Sequence, residues 1–229
     1  MWDLVANEAA ATCRVMCPDT RGHGRSAMPH DGVTLAELAA DAARLIDEVA
    51  GGEPVIWVGL SMGGLIGQEL ALRHPDKIKA LVLANTTSGY DQAGREALGQ
   101  RIAAVEAHGI QAVSTGAMQR FFSPAFREAK GATVARHQRL LEATDPDGYV
   151  ACAAALCDAN YAAQLSQIKV PTLLIAGSED ESTPPQQMQA MARSLTRAQM
   201  VTLQGCAHLS AVEQPGAFAD VLGEFVASL

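Results

Sequence analysis

Residues 59–64 read Gly-Leu-Ser-Met-Gly-Gly and follow the apolar run Pro54-Val55-Ile56-Trp57-Val58. This is G-x-S-x-G where a strand should end and a helix should begin, a setting that pushes the Ser61 hydroxyl out of the sheet on a sharp turn. Glycines on either side are needed because a Cβ would clash in that turn. A serine hydroxyl is a poor nucleophile unless a base removes its proton during attack. Imidazole suits that task near neutral pH, and a carboxylate commonly holds its tautomer.

Candidates for both partners follow Ser61 in the order serine, acid, histidine. The apolar run Val170 to Ala176 ends in Gly177-Ser178-Glu179-Asp180-Glu181-Ser182-Thr183-Pro184, a strand-end loop before a helix. Asp180 is the acid we choose there; Glu179 and Glu181 flank it, and the sequence leaves them open. His208 follows the last strand in Gln204-Gly205-Cys206-Ala207-His208-Leu209. Of the six histidines it alone comes after both a strand and the acid. His30, His74, His108 and His137 fall in loops or helices, where solvation or packing is the ordinary role. His23 sits in a glycine-flanked loop, and we read it as shaping that loop.

These side chains need elements to hold them. Residues 1–11 read as helix, and Cys13 to Pro18 as a short apolar strand ended by a glycine-punctuated loop. Thr34 with Glu37 spells a capping box, followed by Leu35, Leu38, Ala42, Leu45, Ile46 and Val49 at helical spacing. A strand at 54–60, a helix from Met62 to Arg73 stopped by Pro75, and a strand from Ile78 to Ala84 come next. Residues 87–165 carry helical stretches and no convincing strand, so they read as an insert. The alternation resumes at Val170 to Ala176. A helix near Thr183-Pro184 should have threonine as its cap and proline in its first turn. Ala198 to Leu203 is the final strand, and Phe218, Val221, Leu222, Phe225, Val226 and Leu229 stripe the last helix. Such alternation predicts a mostly parallel α/β sheet with helices on both faces, its chemistry at the carboxyl ends of the strands. The expected division is a core of residues 1–86 and 166–229 with a helical cap at 87–165.

Bulk properties narrow the classes. The chain has 229 residues, is 48% apolar and carries a formal net charge of −8. That fits a globular domain and argues against nucleic acid or an anionic membrane as partner. Five cysteines, an odd number with no C-x-x-C pair, read mostly as buried thiols in a reducing, cytoplasmic setting. Met1-Trp2-Asp3-Leu4 has no basic or apolar leader character, and no run is long enough to span a bilayer.

The loop Asp19-Thr20-Arg21-Gly22-His23-Gly24-Arg25-Ser26, the Gly59–Gly64 elbow, the Gly177–Pro184 loop, and His208-Leu209 before Glu213-Gln214-Pro215 together resemble the α/β-hydrolase superfamily across nearly the whole chain. More narrowly, Asp147-Gly148-Tyr149 and Cys152-Ala153-Ala154 make it similar to the 3-oxoadipate enol-lactonases; related esterases and haloperoxidase-like enzymes share several of these signals. The resemblance implies a Ser61–Asp180–His208 triad, the Met62 N–H as an oxyanion donor, a helical cap over the serine, and no metal or organic cofactor. It also implies a tryptophan near Phe121 and an arginine near Cys157, and neither is present. An enol-lactone carries a carboxylate, so Arg120 beside Phe121 is the substrate-binding candidate, against the default of a helix-surface arginine.

The resembled fold begins with three strands that this sequence does not show, about 25–35 residues with their connections. Their absence should leave a gap in the sheet, which the strand at 13–18 or another chain would fill, and one oxyanion donor too few. The expected activity is hydrolysis of a small ester or lactone, foremost 3-oxoadipate enol-lactone in aromatic catabolism. Alternatives are a general carboxylesterase, a haloperoxidase-like perhydrolase, and a catalytically silent fragment or partner-completed subunit. Epoxide hydrolases and dehalogenases place aspartate where Ser61 stands. The sequence leaves the oligomeric state open.

Overall fold

A computed structural model describes residues 1–27 and 33–229. Four strands, β1 (Val55–Leu60), β2 (Ile78–Ala84), β3 (Thr172–Gly177) and β4 (Ala198–Leu203), form one parallel sheet in the order β1-β2-β3-β4. The register pairs Leu60 with Ala84, Ala84 with Ile175, and Gly177 with Leu203. All four strands therefore end along one edge, and the residues after them share that edge.

β2 shows why the sheet is covered twice. Residues Ala80 to Ala84 are fully buried, as expected for a strand enclosed on both faces. Leu81 and Leu83 join a core with α2 (Leu35–Ala50), α3 (Met62–Arg73) and α9 (Pro185–Ser194). Ala80, Val82 and Ala84 point the other way, to α1 (Asp3–Ala9) and α11 (Pro215–Ala227). Alternate side chains of one strand thus build two separate cores. The capping box at Thr34 and Glu37 is formed on both sides and starts α2.

Between β2 and β3 lie five α-helices, α4 (Gln92–His108), α5 (Gln111–Phe121), α6 (Pro124–Ala129), α7 (Gly131–Glu142) and α8 (Pro146–Cys157), and a 3-10 helix at Ala162–Gln167. A single antiparallel bridge, Gly89 to Asn160, ties the two ends of this stretch together. A four-residue helix, α10 (Ser210–Glu213), precedes α11.

Two expectations are overturned. Residues 13–18 form no strand: they run exposed, with no ladder to β1. β1 is an edge strand paired with β2 alone, and its Val55 to Val58 are half-buried. An apolar run becomes a strand only where a neighbour supplies hydrogen bonds, and here a cavity separates 13–18 from β1. The second correction concerns α9, which starts at Pro185 with Pro184 in the cap position and no side-chain cap. The Thr183 hydroxyl is committed elsewhere, to the Asp180 carboxylate.

Candidate active site

Ser61 occupies the turn between β1 and α3 at φ 53°, ψ −115°. Such a conformation costs a non-glycine residue about 1–3 kcal/mol and persists only where the surroundings impose it. The Ser61 N–H donates to the Ala84 carbonyl at 3.0 Å, and its own carbonyl accepts from the Thr86 hydroxyl at 2.7 Å and the Gly64 N–H at 2.9 Å. Trp57 Nε1 donates to the Gly63 carbonyl at 2.9 Å. A Cβ on Gly59 would stand 2.0 Å from that same carbonyl, so the elbow closes only over glycine. Met62 is the first residue of α3, where a helix leaves N–H groups without an internal acceptor.

The acid and the imidazole meet across two strand ends. Asp180 Oδ2 lies 2.9 Å from His208 Nδ1, and both residues are buried, 3% exposed. The carboxylate also accepts from the Thr183 hydroxyl at 2.7 Å, Asn85 Nδ2 at 3.0 Å, and the N–H groups of Ser182 and Thr183 at 2.8 and 3.0 Å. Burial acts to raise the Asp180 pKa, but the His208 hydrogen bond and charge, with Asn85 and the Thr183 N–H, outweigh it and hold the carboxyl below its usual range. Glu179 and Glu181, left open by the sequence, are exposed. Gly177 lets the two loops touch, since a Cβ there would sit 2.3 Å from the Ala207 carbonyl.

Three residues that sequence reasoning missed as site components hold this corner. Asn85, buried and at φ 43°, also donates to the Ala207 carbonyl at 3.2 Å and accepts from the Ser210 hydroxyl. Glu213 accepts from the Ala207 N–H at 2.8 Å and from the Ser123 N–H at 3.1 Å, while the Ser123 hydroxyl bonds its other oxygen. It therefore ties the histidine loop to the α5–α6 junction. Thr183 is the third. The available signal was polar residues directly after an apolar strand, as in Asn85-Thr86-Thr87.

A cavity of about 2710 Å³ is lined by Ser61, Met62, His208, Arg120 and Phe121, and it extends along β1 to residues 12–21. Phe121 stacks on the His208 ring, centroids 5.4 Å apart at 25°, and its carbonyl accepts from the Leu209 N–H at 2.9 Å. The Ser61 hydroxyl makes no hydrogen bond among the described residues; such contacts are often loose before a substrate binds. Arg120 Nε is buried without a partner, and burial first, then the Arg101 charge, lowers the Arg120 pKa.

The other histidines stand apart. His23 lines the same cavity, with Nδ1 3.2 Å from the Arg21 carbonyl, in a loop held by paired Arg21–Asp41 hydrogen bonds of 2.7 Å. His137 packs edge-on against Phe122. His74 and His108 end α3 and α4, and His30 lies outside the described residues. Among the described residues no cluster of three His, Cys, Asp or Glu side chains is arranged to hold a metal ion, and no helix is long and apolar enough to cross a membrane.

Parallel strands, an elbow serine after the first, and a buried acid–imidazole pair on the loops after the last two define the architecture of an α/β hydrolase. The chain belongs to the alpha/beta hydrolase fold family, whose model matches residues 1–215. It is 33% identical over 204 residues to 3-oxoadipate enol-lactonase 2 of Acinetobacter baylyi, an alignment covering 89% of this chain and 75% of that one. Among solved structures it is similar to a hydrolase from Pseudomonas aeruginosa PA01, with TM-score 0.92, 37% identity and coverage of 99% and 84%. The enol-lactonase from Burkholderia xenovorans LB400 superposes with TM-score 0.91 at 30% identity, covering 99% of this chain and 86% of that one.

Proposed function

We propose that the chain is a serine hydrolase of small esters or lactones, and that its substrate is 3-oxoadipate enol-lactone. The observation that carries this reading is the buried Asp180–His208 pair, 2.9 Å apart, with His208 lining the same cavity as the elbow serine. Likeness to two enol-lactonases at 33% and 30% identity supports the substrate.

In this mechanism His208 Nε2 takes the Ser61 proton as Oγ attacks the lactone carbonyl. The Met62 N–H donates to the developing oxyanion. Asp180 stabilises the imidazolium through Nδ1. Collapse of the tetrahedral intermediate breaks the ring C–O bond, and His208 returns the proton to the departing enol oxygen. Water then attacks the acyl-serine with His208 as base, releasing the free acid and restoring the Ser61 hydroxyl. Residues 87–165 act as a cap, and Phe121 steers the imidazole while Arg120 faces the acyl chain.

Turnover of the enol-lactone, followed by loss of its absorbance, tests the proposal. Ser61→Ala should lower kcat by about 10⁴-fold or more. Equal rates in the two proteins would remove serine catalysis. Ser61-dependent cleavage of simple acetates without cleavage of the enol-lactone would make the chain a general carboxylesterase.

A further inference from the structure

Arg101 on α4 and Arg120 on α5 both line the cavity that Ser61 and His208 line. Neither takes part in an ion pair among the described residues, although Arg21, Arg44, Arg73 and Arg136 all do. The Arg101 side chain makes one hydrogen bond, Nε to the Ala97 carbonyl of its own helix at 3.1 Å, which leaves its terminal nitrogens free for a ligand. Arg120 Nε is buried with no acceptor, and its Nη1 lies over Gly116, where a Cβ would come within 3.3 Å. A buried donor without a partner costs about 1–3 kcal/mol, more when charged, so an anion that accepts from Arg120 Nε relieves that cost. Burial first, then the Arg101 charge, lowers the Arg120 pKa, and the guanidinium stays charged. Tyr90 lines the same cavity, and burial raises its phenol pKa. The two cations thus line one cavity from two helices, α4 and α5, that pack on each other.

We propose that Arg101 and Arg120 form one carboxylate-binding subsite, which selects acyl chains that end in a carboxylate. This rests on the hydrolase reading above and adds the residue that reading lacks, since Arg101 shares the anion with Arg120. Two forks can hold both oxygens of one carboxylate, which a single lysine-like charge does not do.

The experiment compares p-nitrophenyl hydrogen glutarate with p-nitrophenyl valerate, equal in acyl length and differing in the terminal charge. The ratio of their kcat/KM values should exceed one in the wild type. Arg101→Gln should lower that ratio about 10- to 100-fold, chiefly through KM, and Arg101→Lys should restore part of it. Calorimetric binding of adipate to Ser61→Ala protein should weaken by a similar factor when Arg101→Gln is added, and this arm needs no turnover. A wild-type ratio at or below one, a ratio unchanged by Arg101→Gln, or adipate binding indifferent to Arg101 each overturns the subsite. Loss of all Ser61-dependent hydrolysis with adipate binding intact would instead overturn the hydrolase reading.

Discussion

Two sides of the sheet's carboxyl edge differ in how they are held. At the β3–β4 side, Asp180 and His208 are 3% exposed; Asn85 and Thr183 bind the carboxylate, Ser210 holds Asn85, and Glu213 holds the Ala207 N–H beside the histidine. At the β1 side, the edge strand is half-buried, residues 13–18 run exposed, and a cavity separates them. Both sides carry apolar runs of similar length. What separates them is the supply of partners: a polar network is rigid only when every member is satisfied, and a strand exists only beside another strand.

The largest blow to this contrast comes from the acid. Asp180→Asn should lower kcat by about 10⁴-fold while leaving the fold, because an amide presents the wrong hydrogen-bonding partner to Nδ1. The same variant tests linkage. The folded pKa of Asp180 is held below the usual aspartate value, so its contribution to stability is present above that usual value and is lost as pH falls through the depressed one. Thermal melts from about pH 5 to about pH 2 should therefore fall more steeply for the wild type than for Asp180→Asn. Parallel curves would show that this carboxyl is not specially stabilised in the fold.

Asn85→Ala comes next. It removes bonds to Asp180, the Ala207 carbonyl and Ser210 at a fully buried position, and should cost about 2–4 kcal/mol in chemical denaturation. A cost under about 0.5 kcal/mol would mean the corner does not depend on its network.

Thiol labelling reads the two sides directly. Cys13 and Cys17 are exposed on the β1 side. Cys206, in the histidine loop, is buried, and burial first, then neighbouring carboxylates, pushes its thiol up to about 12. Cys152, against the Arg21 carbonyl, is pushed by burial up to about 11. Iodoacetamide at pH 8 should modify Cys13 and Cys17 at least about 100-fold faster than Cys206. Comparable rates would erase the distinction between the regions.

The smallest effect is Glu213→Gln. It keeps an acceptor for the Ala207 N–H and loses the charge that binds Ser123, so a loss of about 1 kcal/mol and a several-fold drop in kcat are expected. Unchanged kinetics would show that the tie between the histidine loop and the α5–α6 junction does not position the imidazole.

Much of this was legible from residue order alone, and the reason is local. The α3 bounds, Met62 to Arg73, and the β2 and β4 bounds follow from apolar runs punctuated by glycine and proline. The elbow is legible because a Cβ at Gly59 is sterically impossible, a constraint carried by neighbouring residues. Thr34 and Glu37 likewise announce a helix start three residues apart. Asp180, Glu179 and Glu181 could not be told apart in this way, since consecutive acids share the same local chemistry. Tertiary structure decided among them by burying Asp180 against a histidine 28 positions away and leaving its neighbours in water. It also decided that Asn85 is a clamp, that Thr183 serves the acid and not the helix, and that residues 13–18 are no strand. Each of those outcomes depends on which distant groups supply or withhold a hydrogen bond, and that information is absent from any short window of sequence.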